Sequence, residues 1–452
     1  LDPFFRIWLG HVMDFDYKAN SFIGDNVSII ISDDGTMSGN RTADHKLTVT
    51  ADARTDNITG AGNVAPFGPK LGSPDDTTTD KGYSKALKSQ YTNFKEGLKK
   101  SKPVQNPMGE GETEAAIGAA VTVMLETTEA IVDIGDVTVF ANDMTVASNT
   151  GHLSASISAA GGKAGKLALN GAWTHTTIDT TSRASIGSGS AINLSGALDV
   201  DAAENIFLLK FSGALSQSEK VAVGLSGVTL LSDRTAIAEV TGDGGGSIVA
   251  AGDISFNAAS TGAIISGAVA AAITAPAPPS TGSAGSSAPT SGGAASSGGV
   301  ASGTPAGVSQ GASNSKAGVG ISGSAVGFEE DVILRASIDG LATLTGNSIT
   351  VDATDSTTKI SIAGALSVAR GSGQTNVGIS GAFVVIDSQK DLDAYIRSGS
   401  NAMSLSADAL TVNAYDNSGF FNFAASLAVA TGSKGVGVSG AVIVVVNRTE
   451  VD

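Results

Sequence analysis

Val319-Gly320-Ile321-Ser322-Gly323 returns as Val377-Gly378-Ile379-Ser380-Gly381 and again as Val436-Gly437-Val438-Ser439-Gly440. An earlier copy is Val223-Gly224-Leu225-Ser226-Gly227, and weaker ones sit at Ile117-Gly118 and Leu167-Ala168-Leu169. Centred on 118, 168, 224, 320, 378 and 437, the copies stand 50, 56, 96, 58 and 59 residues apart. The one long spacing contains a Pro/Ser/Gly tract. A second phrase keeps step with the first: Leu47-Thr48-Val49-Thr50-Ala51, Met144-Thr145-Val146-Ala147, Leu198-Asp199-Val200-Asp201-Ala202, Ile254-Ser255-Phe256-Asn257-Ala258, Ile349-Thr350-Val351-Asp352-Ala353 and Leu410-Thr411-Val412-Asn413-Ala414. Its centres, 49, 146, 200, 256, 351 and 412, are 97, 54, 56, 95 and 61 residues apart. Two phrases in phase define a repeat of just under 60 residues.

Both phrases alternate apolar with polar or small residues, which places one set of side chains on each face of a strand. No helix of ordinary length fits between the strands of a repeat, so βαβ units are excluded. The fold class expected is all-β: an elongated, β-helix-like solenoid array with one helical insertion. Reading Gly-Ser, Asn-Ser-Gly and Asp-Gly clusters as turns gives two or three coils per repeat and a rod roughly 60–80 Å long. A stacked antiparallel meander shows much the same alternation, so the strand direction stays open.

Composition agrees with thin, closely packed sheets. Of 452 residues 58 are Gly, aromatics are only 5% and charged residues 15%, so bulky core material is scarce. The 27 basic and 43 acidic residues leave a net charge of −16, which argues against nucleic acid and anionic lipid as partners. The absence of Cys excludes disulfides and thiolate chemistry. The apolar runs at 115–125, 263–275 and 441–446 are too short or too broken by Gly for a membrane span.

Residues 1–21 form an aromatic segment or cap and 22–59 a first partial repeat. Residues 60–113 are an insertion, 114–274 are repeats, 275–315 are a Pro/Gly/Ser/Ala-rich loop, and 316–452 are repeats of which the last is incomplete. Within the first insertion, Tyr83, Leu87, Tyr91, Phe94 and Leu98 recur at helical spacing, predicting one amphipathic helix over 81–101. Seven lysines between Lys81 and Lys102 make this stretch a basic exception, read as a decoration on the rod's flank or a docking element for an acidic neighbour.

The chemical motifs fail on context. Gly318-Val319-Gly320-Ile321-Ser322-Gly323 and Gly435-Val436-Gly437-Val438-Ser439-Gly440 match a dinucleotide fingerprint, but a strand rather than a helix is expected after each. Gly307-Val308-Ser309-Gln310-Gly311 has the nucleophile-elbow pattern without a preceding strand. His11, His45, His152 and His175 have no ligand spacing and are assigned to surface or turn positions. Asp14/Asp16, Asp33-Asp34 and Glu329-Glu330-Asp331 are candidate calcium ligands or paired carboxylates, with solvated turns preferred; Gly242-Asp243-Gly244-Gly245-Gly246 occurs once rather than in tandem. No catalytic or cofactor-binding residue is assigned, no cofactor is expected, and metal binding is left open.

The "VGxSG" and "xITVxA" phrases, recurring about every 55–60 residues, resemble the repeat regions of very large secreted Gram-negative surface proteins, namely haemagglutinin-like adhesins and leukotoxin-like repeat proteins. The resemblance covers residues 114–452 and extends to 22–59. It implies a non-catalytic extracellular or cell-surface β-solenoid that adheres or builds a fibre or filament, and it carries no catalytic residues. The expected partners are further copies or a continuation of the same chain, and a surface glycan or protein. A leukotoxin-like secreted effector and a carbohydrate-active β-helix enzyme are the alternatives.

Overall fold

The computed structural model describes residues 6–7, 11–62, 115–275, 317–370, 375–400 and 402–452. The helix expected over 81–101 lies outside them, as does the 275–315 loop apart from Ala275. Every described ladder is parallel, which decides between solenoid and meander. Each coil consists of a long strand, a short strand and a second long strand. The first coil contains β1 (Arg6–Ile7), β2 (His11–Ile23), β3 (Ser28–Ile30) and β4 (Lys46–Gly62). The second is β5 (Ala115–Ile134), β6 (Thr138–Ala141) and β7 (Asp143–Ala164), and the third β8 (Leu167–Gly187), β9 (Ala191–Leu194) and β10 (Leu198–Ser218). β11 (Val221–Thr241), β12 (Ser247–Ala250) and β13 (Ile254–Thr274) follow, then β14 (Val319–Asp339), β15 (Thr343–Thr345) and β16 (Ser348–Arg370). The next coil is β17 (Thr375–Arg397), β18 (Ser404–Ser406), β19 (Ala409–Asp416) and β20 (Gly419–Thr431), and β21 (Lys434–Val451) is the last long strand.

Stacking the coils makes three sheets. The first holds β1, β2, β5, β8, β11, β14, β17 and β21; the second holds the short strands β3, β6, β9, β12, β15 and β18; the third holds β4, β7, β10, β13, β16, β19 and β20. His11–Ile23, with the N-terminal aromatics Phe15 and Tyr17, is the first sheet's strand in the first coil, paired along its length with β5.

One repeat is therefore one coil, not two or three. Strands of 20–23 residues replace the short ones expected, because Ser226-Gly227, Ser266-Gly267 and Asp355-Ser356 lie inside strands rather than in turns. A parallel stack tolerates such residues in mid-strand, since neighbouring backbones and side chains cover them. At about 3.3 Å per residue the two long sheets are roughly 70 Å wide, while seven rungs at about 4.8 Å extend only roughly 30 Å along the axis. The rod is a broad slab.

The second sequence phrase is a true column: Val49 lies beside Val146, then Val200, Phe256, Val351 and Val412. Its members from Val146 to Val351 are fully buried in the main core, which lies against the short sheet. The first phrase holds register from Gly320 to Gly378 and Gly437, and Ala168 joins the same column through Ala222. The copies centred on Gly118 and Gly224 are displaced by two residues, because Ala222, not Gly224, pairs with Gly320. A shift of two preserves which face each side chain occupies, so the inside–outside assignment survives.

Candidate functional site

Alternation turns every second residue of the long strands into the space between the first and third sheets. At one end these residues are Met144, Val146, Leu198 and Val200 with their neighbours, a wholly apolar core. Farther along the same strands Ile206, Leu208, Val228, Leu230 and Phe328 make a second apolar core. The band between and beside these cores is charged.

In the lower coils Glu126 of β5 faces His152 and Lys210 of β7 and β10. His152 Nε2 is 3.0 Å from Glu126 Oε2, and its Nδ1 is 3.2 Å from Thr128 Oγ1. Asn57 Nδ2 and Ser154 Oγ each donate to Glu126 Oε1 at 2.8 Å, and Lys210 Nζ donates to Ser154 Oγ at 2.5 Å while standing 3.7 Å from Glu126 Oε2. Burial opposes the charge on Glu126, but the His152 hydrogen bond and the Lys210 charge outweigh it and hold the carboxyl down to about 2. Burial pulls the Lys210 amine down to about 8, with Glu126 offsetting part of the effect.

The upper coils carry a larger network. Arg234 of β11 stands 3.3 Å from Glu204 Oε2, 3.1 Å from Glu330 Oε2 and 3.9 Å from Asp355 Oδ2, and donates to Ser260 Oγ at 2.6 Å. Lys359 Nζ is 2.8 Å from Glu330 Oε1 and 4.8 Å above the Phe420 ring. Lys390 bridges Asp355 at 2.8 Å and Asp416 at 3.0 Å. Burial would lower the acidity of Asp355, yet Arg234, Lys359 and Lys390 together hold its carboxyl well below the usual range. Among the described residues this seam sets five carboxylates (Glu126, Glu204, Glu330, Asp355 and Asp416) against Lys210, Arg234, Lys359 and Lys390, with His152 as a fifth cation when protonated.

These positions correct the sequence reading. His152 is a buried partner of Glu126, not a surface or turn residue, and Glu330 points inward from the middle of β14 rather than sitting in a solvated turn. The detectable signal was parity: Glu330 shares its face with Val326, Phe328, Val332 and Leu334, and Arg234 with Val228, Leu230, Ala236 and Ala238. The other candidates are dispersed. Asp14 and Asp16 are exposed on β2. Asp34 accepts the Thr36 amide and hydroxyl in a turn, where these hydrogen bonds hold its carboxyl below the usual range. His45 packs 3.5 Å from Asp33, and His175 bonds Thr229 on an outer face; His11 begins β2. The two dinucleotide-like phrases run on as β14 and β21, Gly242–Gly246 is the turn between β11 and β12, and Gly307–Gly311 lies outside the described residues. Within the described residues no group of three or more His, Asp or Glu is placed to hold a metal ion, and no helix is long and apolar enough to cross a membrane.

The side chains of Glu126, His152, Lys210, Arg234, Glu204 and Glu330 have no solvent exposure and pair with one another, while Arg234 Nε is left without a hydrogen-bond partner. The seam's chemical effect is register control. Arg234 pairs in register with Val332 and reaches Glu330 diagonally, so a slip of β14 against β11 by two residues would put either Glu330 or Leu334 beside it and change which carboxylates it meets.

The outer face of the first sheet is the accessible counterpart. A column runs Val121, Trp173, Gly227, Ala325, Phe383 across five rungs. The Trp173 indole lies over Gly227, where any β-carbon would strike the ring, and its Nε1 donates to Thr229 Oγ1 at 3.2 Å. Trp173 and Phe383, 41% and 48% exposed, flank an open apolar trough of about 440 Å³ floored by Ala119, Gly171, Leu225 and Gly323. Six residues farther along the strands Asp179, Asp233 and Asp331 stack in register. Partial burial and the neighbouring Asp233 and Glu129 push the Asp179 carboxyl up. No ion-pair partner for these three aspartates occurs among the described residues.

Comparison with known proteins leaves the chain on its own: no family model matches it, and neither a curated protein nor a solved structure is similar to it at a significant level.

Proposed function

We propose that the chain is a non-catalytic structural or adhesive repeat protein that acts outside the cell or at its surface, where the coil stack serves as a stiff display scaffold. The observation that supports this reading is the placement of the interruptions. Residues 63–114 join β4 to β5, 276–316 join β13 to β14, and 371–374 join β16 to β17. All three leave the stack at the corner where the third sheet hands over to the first. Interruptions placed at this corner leave the sheets unbroken, and that is where a scaffold can accept added binding elements for a glycan, a protein or another copy.

Fractionation and protease shaving of the source cells test the location, with surface or medium expected and confinement to the cytosol counting against the proposal. Dye release from liposomes would instead support a leukotoxin-like effector. Shortening of a glycan on incubation would support a carbohydrate-active enzyme.

A further inference from the structure

In the half of the slab next to the corner, the bulky apolar side chains of both long sheets point outward. On the first sheet the outward residues of 115–121, 167–173, 221–227, 319–325, 377–383 and 436–442 are all Ala, Gly, Val, Leu, Ile, Phe or Trp. The inward residues of the same stretches are Ala, Gly, Ser and Asn. The third sheet repeats the outward apolar field on the opposite side of the slab, over 155–161, 209–215, 265–271, 360–366 and 421–427. Leu225, Ile379 and Phe383 on one face and Val269, Phe421 and Phe423 on the other are 41% to 64% exposed, and among the described residues no element lies over either field. A sheet that faces water carries its polar set outward; here the sets are exchanged, which leaves two faces in need of a cover.

We propose that the cover is a second copy of this chain on each face. Copies stack laterally, first sheet on first sheet and third sheet on third sheet, so the assembly grows perpendicular to the coil axis.

Area, relief and charge carry the assignment. Four outward positions at about 6.6 Å and six rungs at about 4.8 Å give the first-sheet field roughly 26 by 29 Å, or about 750 Å². Each partner in a stable interface of ordinary size contributes about 800 Å². The third-sheet field, five rungs deep, is roughly 600 Å². On the first sheet Ile117, Leu169, Val223, Ile321, Ile379 and Val438 form a ridge, and the next column, Ala119, Gly171, Leu225, Gly323, Gly381 and Gly440, is low at every rung but one. A two-fold axis parallel to the coil axis and between these columns sets each ridge against the partner's low column, as an isologous contact requires.

Away from the corner the first sheet's outer face turns acidic at Glu329 and Asp387, and the third sheet's carries Asp199, Asp201 and Asp352. Copies whose strands ran in the same direction would lay these halves over one another, in a chain of net charge −16. The two-fold turns them to opposite sides. A bilayer fits the apolar half less well. Lys166, Glu219, Lys220, Arg370 and Lys434 close that half at the corner, so burying it in hydrocarbon would carry these charges across.

Sedimentation velocity and light scattering of the full chain test the proposal. The parent should form species larger than a dimer that grow with concentration. Leu225→Glu with Ile379→Glu closes the first-sheet face, and Val269→Glu with Phe423→Glu closes the third. Either pair alone should leave dimers, and all four substitutions together should give a monomer. Circular dichroism establishes that the variants keep their strands. Should the glutamates unfold the sheet, Leu225→Thr with Ile379→Thr keeps strand-forming residues and should weaken association at least about tenfold. A monomeric parent would overturn the proposal, and flotation of that monomer with phosphatidylcholine vesicles would identify a bilayer as the occupant. Monomers from either pair alone would overturn the pairing of like faces, because only a first-on-third contact needs both faces at once. Assembly unaffected by all four substitutions would also overturn it. Self-association does not depend on where the chain acts, so this experiment and cell fractionation fail separately.

Discussion

Arg234 is the group on which the upper seam depends most. It is fully buried and faces Glu204, Glu330 and Asp355 at 3.3, 3.1 and 3.9 Å. Glu330 and Asp355 also have Lys359, at 2.8 and 3.6 Å, and Asp355 has Lys390 at 2.8 Å. Glu204 has no second cation among the described residues; its remaining donors are the hydroxyls of Thr180 and Ser260. Arg234→Met fills much of the same volume but leaves Glu204 as a buried carboxylate held by hydroxyls alone, and breaking a buried pair in this way costs about 3–5 kcal/mol. Adding Glu204→Gln removes the stranded charge while keeping the shape and the Ser260 and Thr180 contacts. The double variant should recover most of the loss, giving a coupling of about 2–3 kcal/mol. Urea denaturation followed by circular dichroism reads the cycle, and hydrogen exchange localises it. Because stacked coils need not unfold together, amides of β11, β14 and β16 should lose protection before those of β5 and β7. Equal midpoints for the parent and Arg234→Met, or a double variant no better than the single, would refute the electrostatic account of the seam.

Glu126, held near 2 when folded against 4.5 when free, contributes stability that is complete above about pH 4.5 and lost as pH falls toward 2, about 3 kcal/mol in all; Glu126→Gln should flatten acid unfolding in that window. Lys210 and Lys359 titrate near 8 when folded against 10.5 when free, so the unfolded chain binds more protons between those values and stability should rise with pH there; Lys210→Met should shrink that rise, measured by urea midpoints from pH 8 to 10. Gly262 holds φ +127°, and a β-carbon there would collide with the Ile206 carbonyl of the coil below, so Gly262→Ala should cost at least about 2 kcal/mol, and an unaltered thermal midpoint would refute the steric argument.

The sequence made the alternation and one complete column legible, because the Val146 to Val351 series repeats the same residue type at the same depth of the core. Coil size was not legible. Glycine and serine mark turns in most chains, yet Gly171, Gly213 and Gly267 sit inside strands here; Phe211 covers Gly267, as Trp173 covers Gly227. The seam escaped because a charge among small polar residues reads as an outer face when each residue is judged alone. Glu126 lies in Leu125-Glu126-Thr127-Thr128-Glu129, where both parities look polar, and only the run onward through Ala130, Val132 and Ile134 shows that Glu126 points inward while Glu129 does not. Its partners His152 and Lys210 come from two other strands, at sequence distances that no local motif registers.

The size of the coil also governs how the chain can acquire its structure. Neighbouring rungs join residues 52 to 61 positions apart even where nothing is inserted, as in the pairing of Ala115 with Leu167 and the bond from Asn413 to Asp352. No hairpin and no helix among the described residues offers a short-range nucleus, and even the uninterrupted ladder of β5 with β8 needs the 73 residues from Ala115 to Gly187 present together, so loop closure must precede any reward from pairing. After that, each new coil meets a finished edge and adds by templating, one rung at a time. Slow initiation followed by directional growth is the kinetic signature expected of this chain, and half-built stacks would expose the strand edges most prone to aggregate.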